Sequence, residues 1–128
     1  MPDFHFDTNE RFVICNARIL GIKHSSYLRL ALDTGATTTT ISFKIARKIG
    51  ALPHLLRHNT IITSIWGRET SPTIIVPKFS CLGITRKKFE ILCHDLPPGS
   101  SIDGLLGLNF FKNTNLNIDF PKGTISIN

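Results

Sequence analysis

The chain has no apolar run approaching the roughly 18 residues that a membrane-spanning helix requires, which excludes helical insertion into a bilayer. Its first residues, Met1-Pro2-Asp3-Phe4-His5-Phe6-Asp7, have neither a basic start nor an apolar core. They do not read as a secretory signal, and a cytoplasmic location is expected. Cysteine is scarce: Cys15, Cys81 and Cys93 cannot all pair within one chain, and reduced, buried thiols are expected. Acidic residues are outnumbered, nine against fifteen basic ones, for a net charge of +6. Such an excess can signal nucleic acid. Here the basic residues are scattered, and their one run, Arg86-Lys87-Lys88, reads as a solvated turn, so no nucleic-acid partner is expected. Repeats, low-complexity tracts and linkers are missing too.

What is present is an ordinary globular balance, 41% hydrophobic and 19% charged, rich in Ile, Thr and Phe. A chain of 128 residues fits one domain, residues 1–128, and buries about two-thirds of its unfolded surface. Phe12 to Ile19 reads as a strand, Gly21 to Ser26 as a turn, and Tyr27 to Leu32 as a second strand with Leu28, Leu30 and Leu32 on one face. Thr37 to Ile41 is β-branched and extended. Ser42 caps a short helix over Phe43 to Ile49, which Gly50 ends, with Pro53 just beyond. Thr60 to Ile65 and Thr73 to Val76 are strands joined by a connection over 66–72. Lys78 to Leu82 and Lys88 to His94 pair around Gly83, and Leu96 to Ser101 is a loop. Leu108 to Lys112 makes one or two helical turns. The alternating Leu116, Ile118 and Phe120 turn back through Pro121-Lys122-Gly123 into Ile125 and Ile127. Short strands with turns every eight to twelve residues indicate a small all-β domain, closed or sandwiched.

The informative residues are Leu32-Asp33-Thr34-Gly35-Ala36. An acid between an apolar strand and a Thr-Gly turn is badly placed for a decorative charge and well placed to hold a water molecule. The plain alternative, an aspartate in a turn or capping a helix, does not account for the apolar-apolar-glycine element Leu105-Leu106-Gly107 later in the chain.

With the glycine-tipped hairpin around Trp66-Gly67 between these two elements, the chain resembles the retropepsin-like aspartic proteases. The stretches Ile102-Asp103-Gly104-Leu105-Leu106-Gly107-Leu108-Asn109-Phe110-Phe111 and Leu116-Asn117-Ile118-Asp119-Phe120 resemble bacterial and cellular single-domain members more than viral ones. The order of elements agrees from about Phe12 to Ile127. The resemblance implies a small closed β-barrel with one or two short helices and a flap hairpin. It implies endopeptidase activity on a peptide or protein substrate, with no metal or organic cofactor. Asp33 would be the catalytic acid, with Thr34 and Gly35 holding its geometry. Ala36, Ile65, Trp66, Gly67, Arg68 and Leu105 would line the substrate, and Leu105, Leu106 and Gly107 would pack beneath the Asp33 loop.

Peptide hydrolysis by this route needs two carboxylates around one water, one taking a proton and the other donating one. Asp-Thr-Gly occurs once, and Asp103 precedes Gly alone. The pair must therefore come from two chains across a two-fold axis, which makes a homodimer the expected active form. Ala36 stands where pepsin-like enzymes often have a hydroxyl that favours the ionised carboxylate. Its absence points to a mildly acidic optimum. Viral members carry acidic residues shortly after this motif and an Arg after the second glycine. Here Thr37, Thr38 and Leu108 hold those places, so the charged network that braces the viral dimer is missing. Phe4 and Phe6 with Ile125 and Ile127 either interleave with a partner's ends or pack on their own subunit.

Rival sites are weaker. Cys93 and His94 are adjacent on a strand and face opposite sides, so they cannot form a nucleophile–base pair. Cys81, Cys93 and His94 lack the close spacing of metal ligands. Two other classes stay open: a non-catalytic dimerisation or peptide-binding module of the same fold, and a basic nucleic-acid-binding β domain.

Overall fold

A computed structural model describes residues 3–21, 23–51, 59–64 and 67–128. The predicted Tyr27–Leu32 alternation is realised. Strand β2 (Ile14–Leu20) and strand β3 (Ser25–Leu32) form an antiparallel hairpin paired from Ile14↔Ala31 to Leu20↔Ser25. Period two sends Cys15, Ala17, Ile19, Leu28 and Leu30 inward and leaves Arg18, Tyr27 and Arg29 outside.

The remaining elements are β1 (Phe4–His5), β4 (Thr40–Ile41), α1 (Phe43–Lys48), β5 (Asn59–Ser64), β6 (Gly67–Cys81), β7 (Ile84–Cys93), β8 (Gly104–Leu106), β9 (Leu116–Asp119) and β10 (Thr124–Ile127). The main sheet runs β2-β3-β8-β4-β7-β6-β5, and β2 pairs again with β6. That second pairing closes six strands into a barrel and leaves β5 outside the ring as the arm of a hairpin with β6. Closure removes the exposed sheet edges that a domain this small would otherwise present. Phe79, stacked on Phe89 at 4.8 Å and met edge-on by Phe110 at 5.5 Å, fills the interior with Ile19, Leu30, Ile91 and Leu106.

Helix α1 starts as expected, with the Ser42 hydroxyl accepting from the Ile45 N–H at 3.3 Å. It ends at Gly50, whose φ of +91° suits a residue without a side chain. The proline predicted to follow, Pro53, lies outside the described residues.

Three expectations need correction. The connection expected over 66–72 is mostly strand: β6 runs unbroken from Gly67 to Cys81, joining what read as two separate strands. Turn-forming residues there are overridden by the ladder to β5, which pairs Asn59↔Pro72 through Ser64↔Gly67. Pro77, which has no N–H to donate, is tolerated because the β6–β7 pairing skips from Val76↔Phe89 to Lys78↔Lys87. Opposite that gap Lys88 sits at φ 49°. Secondly, Arg86-Lys87-Lys88 is not a turn but part of β7. Arg86 is half-buried and donates to the Phe110 carbonyl from Nε (3.1 Å) and Nη2 (2.7 Å), and to the Lys112 carbonyl at 2.7 Å. The actual turn is the two-residue loop Leu82-Gly83, with φ values of 49° and 75°, between paired Cys81 and Ile84.

Residues 108–112 form successive turns rather than a helix, with Phe110 N–H donating to Gly107 O and Phe111 N–H to Leu108 O. A second sheet, β1-β10-β9, gathers both ends of the chain: Phe4 pairs with Ile125 and Ile118 with Ile125 from the other side. Within the single chain the end strands thus pair with each other. Among the described residues no helix is long and apolar enough to cross a membrane.

Candidate active site

Asp33 emerges from β3 half-buried, its N–H donating to the Leu106 carbonyl at 3.0 Å. Its Oδ1 accepts the Gly35 N–H at 2.9 Å, and its carbonyl accepts the Ala36 N–H at 3.1 Å. The side chain therefore bonds its own backbone two residues on, an Asx turn that fixes the direction of the carboxylate. A Cβ on Gly35 would sit 3.1 Å from Asp33 Oδ1, so a side chain there would crowd the acid. Thr34 and Gly35 are exposed and Ala36 half-buried.

The predicted partner element does lie beneath this loop. β8 pairs parallel with β3, Ala31↔Leu105 and Leu32↔Leu106. Leu106 is fully buried and Leu105 half-buried. Beyond it, Leu108 N–H donates to Ala36 O at 2.8 Å and Asn109 N–H to Thr37 O at 3.2 Å. A Cβ on Gly107 would fall 2.7 Å from Thr38 C and 2.8 Å from both Ala36 O and Thr39 N, which explains the glycine.

Two residues that sequence reasoning missed hold these segments together. Thr39 is completely buried. Its hydroxyl accepts from Gly107 N–H at 3.0 Å and donates to Asn109 Oδ1 at 2.8 Å, and its N–H donates to the same oxygen at 2.7 Å. The Asn109 amide donates in turn to Glu90 O at 2.8 Å, tying the loop to β7. The available signal was a polar Asn placed two residues after Gly107 between apolar neighbours.

Residues 16–110 match a family described as aspartyl protease. The chain belongs to that family. Its fold is similar to the crystal structure of a retropepsin-like aspartic protease from Rickettsia conorii, with a TM-score of 0.71 and 18% identity over 98% of this chain and 87% of that one. No curated protein matches this family member. The retropepsin-like closed barrel is thereby confirmed.

The other expected site residues sit on the β5–β6 arm. Gly67 pairs with Ser64 and Arg68 with Thr63, and Ile65 and Trp66 lie outside the described residues. The structure thus brings Asp33, Thr34, Gly35 and Ala36 together with Leu105, and carries Gly67 and Arg68 on a separate hairpin.

The second acid, Asp103, has a structural task. Its Oδ2 accepts the Arg29 N–H at 2.8 Å, and its own N–H donates to Arg29 O at 2.8 Å, fastening β8 to β3. Cys93 is buried on β7, and burial pushes its thiol up to about 12, leaving it protonated and unsuited to attack. His94 Nδ1 is 3.0 Å from Ser71 Oγ. Among the described residues no group of three or more His, Cys, Asp or Glu is arranged to hold a metal.

Proposed function

We propose that this chain is an aspartic endopeptidase that cleaves internal peptide bonds as a homodimer, one Asp33 coming from each copy. The observation that carries the reading is the Asp33 loop itself. A lone carboxylate is aimed by an Asx turn and seated on Leu105–Asn109, with no second Asp-Thr-Gly in the chain to pair with it. One carboxylate takes a proton from water while its protonated counterpart donates one to the scissile carbonyl. The resulting gem-diol then collapses, the C–N bond breaks, and the amine leaves with a proton. In this reading the Thr34 hydroxyl, exposed in the single chain, bonds the partner's loop across the axis. Gly67 and Arg68 belong to a flap that closes over an extended substrate and excludes water. The chemistry needs no metal or organic cofactor, since the acid pair both accepts and donates the proton.

A proteome-derived peptide library incubated with the protein tests this. Cleavage of internal bonds, blocked by a pepstatin-like inhibitor and found only in the dimer fraction on sedimentation, supports it. A dimer that binds peptides without cutting them would instead indicate a non-catalytic module, and activity confined to monomer would overturn the paired-acid reading. Gly67→Val should slow turnover roughly tenfold while shifting Tm little, because a β-branched residue stiffens a hairpin arm that must move.

A further inference from the structure

The barrel closes along one seam, and two thiols stand at the end of it. β2 and β6 pair only from Leu20↔Lys78 to Ala17↔Cys81. Past that point β6 turns away through Leu82-Gly83 into β7, and the Phe4 ring packs on Gly83. Cys15 lies two residues from Ala17, so it shares Ala17's face and is the diagonal neighbour of Cys81 across the ladder. Both thiols are buried, and the Cys81 S–H donates to the Asn16 carbonyl at 3.4 Å. A cavity of about 370 Å³ is lined by both cysteines together with Phe4, Tyr27, Leu82 and Ile125, which gives a small oxidant room to reach them.

We propose that Cys15 and Cys81 form an oxidisable pair, which a peroxide converts into a disulfide that covalently closes the barrel seam. The neighbouring Cys81 holds Cys15 below the usual thiol range against the opposing effect of burial. Cys15 and burial push Cys81 up. Because the Cys81 proton is held on the Asn16 carbonyl, Cys15 is the attacking sulfur and Cys81 the resolving one. The Cys15 thiolate attacks one peroxide oxygen, the O–O bond breaks, and hydroxide leaves and is protonated to water, giving a sulfenic acid. Cys81 then attacks the Cys15 sulfur, the S–S bond forms, the S–O bond breaks, and a second water departs with the Cys81 proton. Two thiols lose two electrons, and the peroxide is reduced to two waters. Cys93, buried on β7 against β4, is the internal control.

The test treats the intact protein with equimolar hydrogen peroxide, counts thiols after denaturation, and maps non-reduced peptides by mass spectrometry. The expected result is loss of two of the three thiols, a Cys15–Cys81 linked peptide, and a Tm raised by roughly 5–10 °C that dithiothreitol reverses. Cys93→Ser should keep the bridge and Cys15→Ser should lose it. Three surviving thiols, a bridge through Cys93, linkage between copies, or a sulfinic acid on Cys15 without a bridge would overturn the proposal. So would a bridge that leaves Tm unchanged. Should Cys15→Ser fail to fold, the wild-type peptide map decides alone. None of these outcomes depends on the protease reading.

Discussion

Asp33→Asn should lower cleavage of the peptide library by at least about a thousandfold while the protein remains folded. An amide cannot serve as the proton acceptor, and removing a positioned acid–base group costs on the order of 10²–10⁴ in rate. In the proposed homodimer the substitution removes both acids together, which places the loss at the upper end. The fold should survive because the Asp33 side chain is half-buried and its one bond among the described residues, Oδ1 to the Gly35 N–H, is available to an Asn carbonyl oxygen as well. Circular dichroism and sedimentation on the same sample would confirm an unchanged fold and assembly. Full activity in the variant would remove Asp33 from the chemistry altogether.

Gly107→Ala should damage both stability and activity. Three backbone atoms, Thr38 C, Ala36 O and Thr39 N, lie 2.7–2.8 Å from where that methyl would sit. Backbone cannot rotate aside as a side chain can. Overpacking of this kind costs about 3 kcal/mol, against a gain of under about 1 kcal/mol from restricting the unfolded chain. The net loss corresponds to a Tm lowered by roughly 10 °C. Activity should fall further than stability, because the displaced atoms belong to the loop that aims Asp33, and a shift near 1 Å can cost about a hundredfold. Gly99→Ala is the natural control. Its φ of +77° adds backbone strain that Gly107 does not have, but nothing lies within 4 Å of the added methyl. Its thermal melt should move by only a few degrees and its turnover should be unaltered. Equal effects at the two positions would show that packing against the Asp33 loop is not what Gly107 provides.

Much of this fold was legible where the signal is local. Alternation in Tyr27–Leu32, the Ser42 cap, and Gly123 at the tip of the last hairpin each encode their geometry within a few residues, and each is realised. The Asp33 loop and Leu105-Leu106-Gly107 were legible as a pair because their residue types are unusual together. What could not be read depends on distant partners. Thr39 is the third of four consecutive threonines, and nothing in that run distinguishes it. Its role appears only when Asn109 arrives from the far end of the chain. Thr70-Ser71-Pro72 reads as a loop until β5 supplies the ladder that extends it. Arg86 looks like one more solvated charge until the Phe110 and Lys112 carbonyls turn toward it. In each case the local preference was weak and a long-range hydrogen bond decided the outcome.

The sheet built from β1, β10 and β9 lies wholly within one polypeptide. Should the proposed homodimer keep this pairing, a copy could leave it with the sheet intact, and mixing tagged and untagged populations would exchange subunits without any unfolding step. Activity would then answer to dilution rather than to a slow structural commitment.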